Sequence, residues 1–187
     1  MKKALLGSLL GLIIMVGMSS NSPAETSTIG GRFIMQDHNG NVVTDSDFDG
    51  RYMLITFGYT FCPDICPTNL AEMGDVLDIL GFKGKNILPI FITVDPKRDT
   101  ASRVKEYISH FHERFVGLTG SEAMLKRLTA AYKVAYKIHK PEGADEEQYT
   151  VDHSAGMFLM GPDGKFLVKF VYGIDPDVMA KRIEDFL

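Results

Sequence analysis

Two cysteines stand four residues apart between an apolar run and a helical pattern, and the 187-residue chain has no others. They lie in Gly58-Tyr59-Thr60-Phe61-Cys62-Pro63-Asp64-Ile65-Cys66-Pro67. Two sulfurs at this spacing can close a small disulfide, cycle between dithiol and disulfide, or chelate a soft metal. A continuous helix would hold their Cβ atoms roughly 6 Å apart, whereas a disulfide needs about 3.5–4.5 Å. Pro63 disfavours helix through the loop, and Pro67 suits the first turn of a new helix, where a missing N–H costs least. The stretch therefore predicts Cys62 on a loop and Cys66 near a helix N-terminus. There the helix dipole favours the thiolate, the form that attacks disulfides and binds metals.

The flanking sequence sets the frame. Residues 52–57 form an apolar run of the kind found in a central strand, and residues 87–94 form a second, with Pro89 near its start. Leu70, Met73, Leu77 and Leu80 recur at helical spacing and predict a helix over 67–80, stopping before Gly81. Upstream, two short strand-like runs flank Asn39-Gly40 and predict a β-hairpin. Thr100 and Ser121 can each cap a helix. Residues 115–118 and 134–138 read as short strands, and 142–148 as an acidic, solvated loop. A second hairpin is expected around Gly161-Pro162-Asp163-Gly164, then a terminal helix from Asp175. Strands and helices in this order predict an α/β domain with a mixed sheet.

The chain's length allows one domain with its own core, without disulfide staples. Its formal charge is −4, and without residues 1–24, which hold two lysines and no acid, 24 acids would face 18 bases. That balance argues against nucleic acid as a partner. Lys2 and Lys3 precede an apolar run over 4–18 and then a small-residue stretch to Ala24, which describes a signal peptide or a membrane anchor. The run is shorter than the roughly 20 residues of a spanning helix, which favours cleavage after Ala24. The expected organisation is a signal or anchor over 1–24, a linker over 25–31 and a domain over 32–187. Either reading places the domain outside the cytoplasm, in the periplasm, with membrane association through the N-terminus in the anchored form.

Four motifs in order carry a resemblance. They are the cysteine stretch, Val94-Asp95-Pro96-Lys97-Arg98-Asp99-Thr100, Val116-Gly117-Leu118-Thr119-Gly120, and Val151-Asp152-His153-Ser154 with Gly161-Pro162-Asp163-Gly164. Over residues 31–187 the chain resembles the Sco/SenC family, motif by motif. The resemblance implies a thioredoxin-like fold, although the cysteine spacing is Cys-x3-Cys where a thioredoxin-type oxidoreductase has Cys-x2-Cys. It further implies a copper-binding protein that delivers copper to the binuclear copper site of cytochrome c oxidase, or maintains that site's thiols. Its copper ligands map to Cys62, Cys66 and His153, with one Cu(I) or Cu(II) per chain. The implied partners are the copper-receiving oxidase subunit and a periplasmic thiol reductant.

The chemistry of that set agrees. Two thiolates and an imidazole form a soft site suited to Cu(I) and still able to hold Cu(II). A structural zinc site closes four protein ligands, and there is no third cysteine. The competing reading is a thiol–disulfide oxidoreductase in which Cys62 or Cys66 is the attacking thiolate. A thiol peroxidase would need Thr-x-x-Cys, but Thr60 precedes Cys62 by two. A zinc hydrolase lacks an evident general base. Asp152 is expected to orient the His153 ring, while His38, His110, His112 and His139 read as solvated. Met157 and Met160 point to opposite faces of a strand and read as core, and Met73 and Met124 lie on apolar helix faces. Asp64 and Asp95 read either as turn and strand-end residues or as groups that tune the loop.

Overall fold

The computed structural model describes residues 29–187, so the reading of residues 1–24 lies outside the described residues. A seven-stranded sheet carries the fold, in the order β2-β1-β5-β4-β3-β8-β9. Its strands are β1 (Ile34–Asp37), β2 (Val42–Thr44), β3 (Tyr52–Gly58), β4 (Ile87–Thr93), β5 (Val116–Thr119), β8 (Met157–Met160) and β9 (Phe166–Phe170). β3 pairs in parallel with β4, and β4 with β5, while the β1–β2, β1–β5, β3–β8 and β8–β9 pairs are antiparallel. Helices α1 (Ile65–Leu80), α2 (Ala101–Ile108), α3 (Glu122–Tyr132) and α4 (Pro176–Glu184) complete the frame. The mixed α/β fold expected from the sequence, N-terminal hairpin included, is what forms.

Strand alternation explains the layering. Along β3, Met53, Ile55 and Phe57 enter one core, shared with Leu128 and Tyr132 of α3. Leu54, between them, enters the opposite core with Leu70, Met73 and Leu77 of α1 and Met179 and Ile183 of α4. The methionines of β8 obey the same rule: Met157 belongs to the second core and Met160 to the first. Pro89 sits deep in the sheet, opposite Leu54. It is tolerated there because β5 first meets β4 at Ile90, one residue further on.

Two features depart from the sequence reading. Helix α1 starts at Ile65, not Pro67, with Asp64 as its N-cap residue, so Pro67 is the third residue of the helix, whose N–H would have had no intrahelical partner. The stretch before β8 also holds an unexpected strand. β7 (Thr150–His153) pairs antiparallel with β6 (Tyr136–His139), forming a separate two-stranded sheet. His153 ends that strand, off the main sheet.

Candidate metal centre

The cysteine half of the site is built at the end of β3. Gly58 closes the strand because a Cβ there would lie 2.9 Å from both Cys66 Sγ and the Phe91 ring. The loop that follows is pinned from below. Asp99, fully buried, accepts hydrogen bonds from the Thr60 N–H at 2.9 Å, the Thr60 hydroxyl at 2.6 Å and the Thr93 hydroxyl at 2.6 Å. Burial still holds the Asp99 carboxyl above its ordinary range, with the three donors opposing. The Cys62 N–H donates to the Tyr59 carbonyl at 3.1 Å, and the Val94 N–H to the Gly58 carbonyl at 2.7 Å.

Cys62 is half-buried and Cys66, in the first turn of α1, is buried; both are free thiols. The first proton leaves Cys62. Its thiolate accepts hydrogen bonds from the Cys66 thiol and from the backbone N–H groups of Asp64 and Cys66, which together overcome desolvation and draw it down to about 3. Cys66 is pushed up, because it donates to that neighbouring thiolate and because it is buried. This corrects the sequence expectation of a favoured thiolate at Cys66. The helix N-terminus is present, but the sulfur nearer solvent takes the charge.

The histidine arrives from the other side, 87 residues away in sequence, with Nε2 at 3.2 Å from Cys66 Sγ. Its Nδ1 lies 3.1 Å from the Ser154 carbonyl oxygen. A carbonyl can only accept, so Nδ1 carries the proton and the Nε2 lone pair faces the sulfurs. Tyr59, buried, packs edge-on against the imidazole with ring centroids 6.2 Å apart. Ser154 is fixed in turn: its N–H donates to the Ala135 carbonyl at 2.9 Å, and its hydroxyl accepts from the Ala135 N–H at 3.0 Å.

Asp152 does not orient His153. It points to the opposite side of β7 and pairs with His139 Nε2 at 2.9 Å, as successive strand residues must face apart. Nor are the other histidines simply solvated. His38 Nδ1 accepts from the Gly117 N–H at 3.1 Å, and His112 Nδ1 from the Arg114 N–H at 3.1 Å. His110 is the one that stays exposed without such a bond in the described structure. Met73, Met157 and Met160 are core residues, whereas Met124 is over a third exposed. Asp64 is exposed and its side chain makes no cap bond. Asp95 is buried and pairs with Arg98 and Tyr149, residues the sequence reading gave no role.

The Cys62 and Cys66 sulfurs and a His153 ring nitrogen all lie within 4.8 Å of one another, and among the described residues no other group of three His, Cys, Asp or Glu side chains could hold a metal ion. Two soft sulfurs and one imidazole, partly shielded from water, fit a thiophilic metal of low coordination number.

Comparison with known proteins agrees. The SCO1/SenC family description matches residues 21–187. An SCO2-like protein of Rickettsia conorii is 43% identical over 158 residues, covering 84% of this chain and 76% of that protein. The structure of Bradyrhizobium japonicum ScoI with copper bound is 40% identical, covers 85% of this chain and 99% of that one, and superposes with a TM-score of 0.77. Yeast Sco1 with copper bound is 35% identical, with coverage of 84% and 87% and a TM-score of 0.78. Fold, ligand cluster and sequence similarity over most of its length lead to one conclusion: this chain belongs to the SCO1/SenC family.

Proposed function

We propose that this chain is a copper-delivery protein that takes one Cu(I) or Cu(II) as cargo on Cys62, Cys66 and His153. The observation that carries the reading is the convergence of those three donor atoms within 4.8 Å. Cys62 supplies a thiolate at neutral pH and Cys66 releases its proton as the metal enters, so loading liberates protons. The Ser154 carbonyl keeps the Nε2 lone pair of His153 available as the third donor. With a half-buried Cys62, an incoming thiol of an acceptor can displace one ligand at a time. By family resemblance, the acceptor is the copper-receiving subunit of cytochrome c oxidase.

Anaerobic copper titration of the reduced domain with an optical spectrum tests this. The expected result is strong sulfur-to-Cu(II) charge-transfer absorption saturating at one equivalent. Absence of such bands would leave the thiols without a metal role. The low-lying Cys62 thiol also favours a second reading, a thiol–disulfide oxidoreductase that keeps the acceptor's cysteines reduced. In that case a reduced, metal-free domain would reduce the acceptor's disulfide, and Cys62→Ser would abolish the exchange.

The domain is placed outside the cytoplasm by residues 1–24, acting as signal or anchor ahead of a 25–31 linker and the 32–187 domain. The support is compositional: two lysines, an apolar run and a small-residue end. N-terminal sequencing of the native protein separates the two forms. A start near Glu25 means cleavage, and an intact Met1 in the membrane pellet means anchoring.

A further inference from the structure

His153 belongs to a hairpin that shares no ladder with the main sheet, so β-pairing alone cannot fix its distance from the cysteine loop. One buried side chain reaches both halves. The Arg98 guanidinium donates through Nη1 to the carbonyls of Glu147 at 2.9 Å and Tyr149 at 3.0 Å, on the chain entering β7. It lies 3.6 Å from the centroid of the Tyr149 ring, and Tyr149 Oη donates to Asp95 Oδ1 at 2.7 Å. Arg98 Nε donates to the other Asp95 oxygen at 2.5 Å. On the cysteine side the same guanidinium lies 4.6 Å from the centroid of the Phe61 ring and 5.7 Å from that of Tyr59. Phe61 precedes Cys62, and Tyr59 packs against His153. The next residue, Asp99, grips Thr60.

We infer that Arg98 is a positioning residue that clasps the His153-bearing hairpin to the cysteine loop and so sets whether the imidazole can join the two sulfurs around one metal. The inference rests on the copper reading above. Its chemical basis is the shape of guanidinium: a planar fork can stack on aromatic faces while donating in its plane to carbonyls and a carboxylate. A lysine at the same place keeps the charge but loses the stack and most of the directed bonds. Because two thiolates can hold Cu(I) alone, a displaced imidazole should be felt mainly by Cu(II).

The test compares Cu(II) and Cu(I) affinities of the full chain for the parent, Arg98→Lys, His153→Ala and the double variant. Arg98→Lys should weaken Cu(II) about 10- to 100-fold, the usual effect of losing a group that orients a metal ligand. Cu(I) affinity should change by only a few-fold, and the sulfur-to-Cu(II) bands should shift toward those of His153→Ala. In the His153→Ala background the same substitution should do nothing further to Cu(II), since the imidazole it positions is gone. Arg103→Lys, beside the same Phe61 ring at 4.6 Å, controls for charge and should match the parent. Amide exchange of the metal-free protein should show residues 136–153 loosened and β3–β4 unchanged. Should Arg98→Lys fail to fold, Tyr149→Leu removes the clasp from the hairpin side and must give the same selective loss of Cu(II). Equal losses for both oxidation states from that variant would overturn the inference. So would parent-like binding by Arg98→Lys, or an undiminished effect of Arg98→Lys without His153. If His153→Ala itself binds Cu(II) like the parent, the ligand assignment fails and the inference falls with it.

Discussion

The two halves of the site are held by different physics. Cys62 sits on the loop between β3 and α1 and Cys66 in the first turn of α1, over two cores whose residues are almost wholly buried. A buried carboxylate with three donors fixes that loop from beneath. His153 ends a four-residue strand whose ladder partner, β6, is largely exposed along its length. Its anchorage combines Val151 and Tyr149, which enter the edge of the first core, with a handful of polar contacts, Ser154 to Ala135 and Arg98 to the chain before β7. A rigid pair of sulfurs facing a more lightly held imidazole suits a cargo site, since one ligand can swing away without unfolding the rest.

This contrast can be broken from either side. The largest effect is expected in the frame. Leu54→Ala, at a fully buried position of β3, should cost about 2–5 kcal/mol in urea denaturation, in a single transition. Ile138→Ala, at a half-exposed position of β6, should stay within about 0.5 kcal/mol. Equal losses from the two would mean the hairpin is as integral as the sheet. Beneath the loop, Asp99→Ala strands the buried Thr93 hydroxyl and the Thr60 amide, and should cost about 1–3 kcal/mol by the same measurement. A neutral outcome would show that the loop is held without it.

A smaller, purely chemical effect separates the sulfurs. The Cys62 pKa is lowered, so its thiolate persists as pH falls from 9 toward the folded value of about 3. Alkylation of the reduced, metal-free domain should therefore proceed at Cys62 with a nearly constant rate between pH 8 and 6. An ordinary thiol with pKa about 8.5 would slow close to tenfold per pH unit below that value. Cys66, raised and buried, should react last. Peptide mapping after short alkylation at pH 6 distinguishes them, and preferential labelling of Cys66 would reverse the assignment.

The same contrast explains how much the sequence reveals. The cysteine half is legible because its signals are local: an apolar run, two prolines and a helical period, all within about thirty residues. The frame was legible for the same reason, down to the caps at Thr100 and Ser121, whose side chains accept from Arg103 and Met124. His153 carries no local signal that separates it from the other histidines, and only the resemblance of motifs singled it out. Asp152 was misread because its neighbour relation to His153 is sequential, while β7 sends the two side chains to opposite faces. The thiolate was misassigned because a helix-terminus argument weighs one field, whereas burial and the second sulfur decide the outcome. Arg98 was invisible since its partners are main-chain carbonyls 49 and 51 residues away, and a carbonyl leaves no mark in a sequence.

The central claim is that both halves meet on one metal. Copper X-ray absorption on the domain loaded with one equivalent, for the parent and His153→Ala, tests it most directly. The account predicts two sulfur scatterers and one imidazole in the parent Cu(II) form, with the imidazole lost and both sulfurs kept in the variant. A parent spectrum with sulfur ligands alone, or with an imidazole that survives His153→Ala, would contradict it.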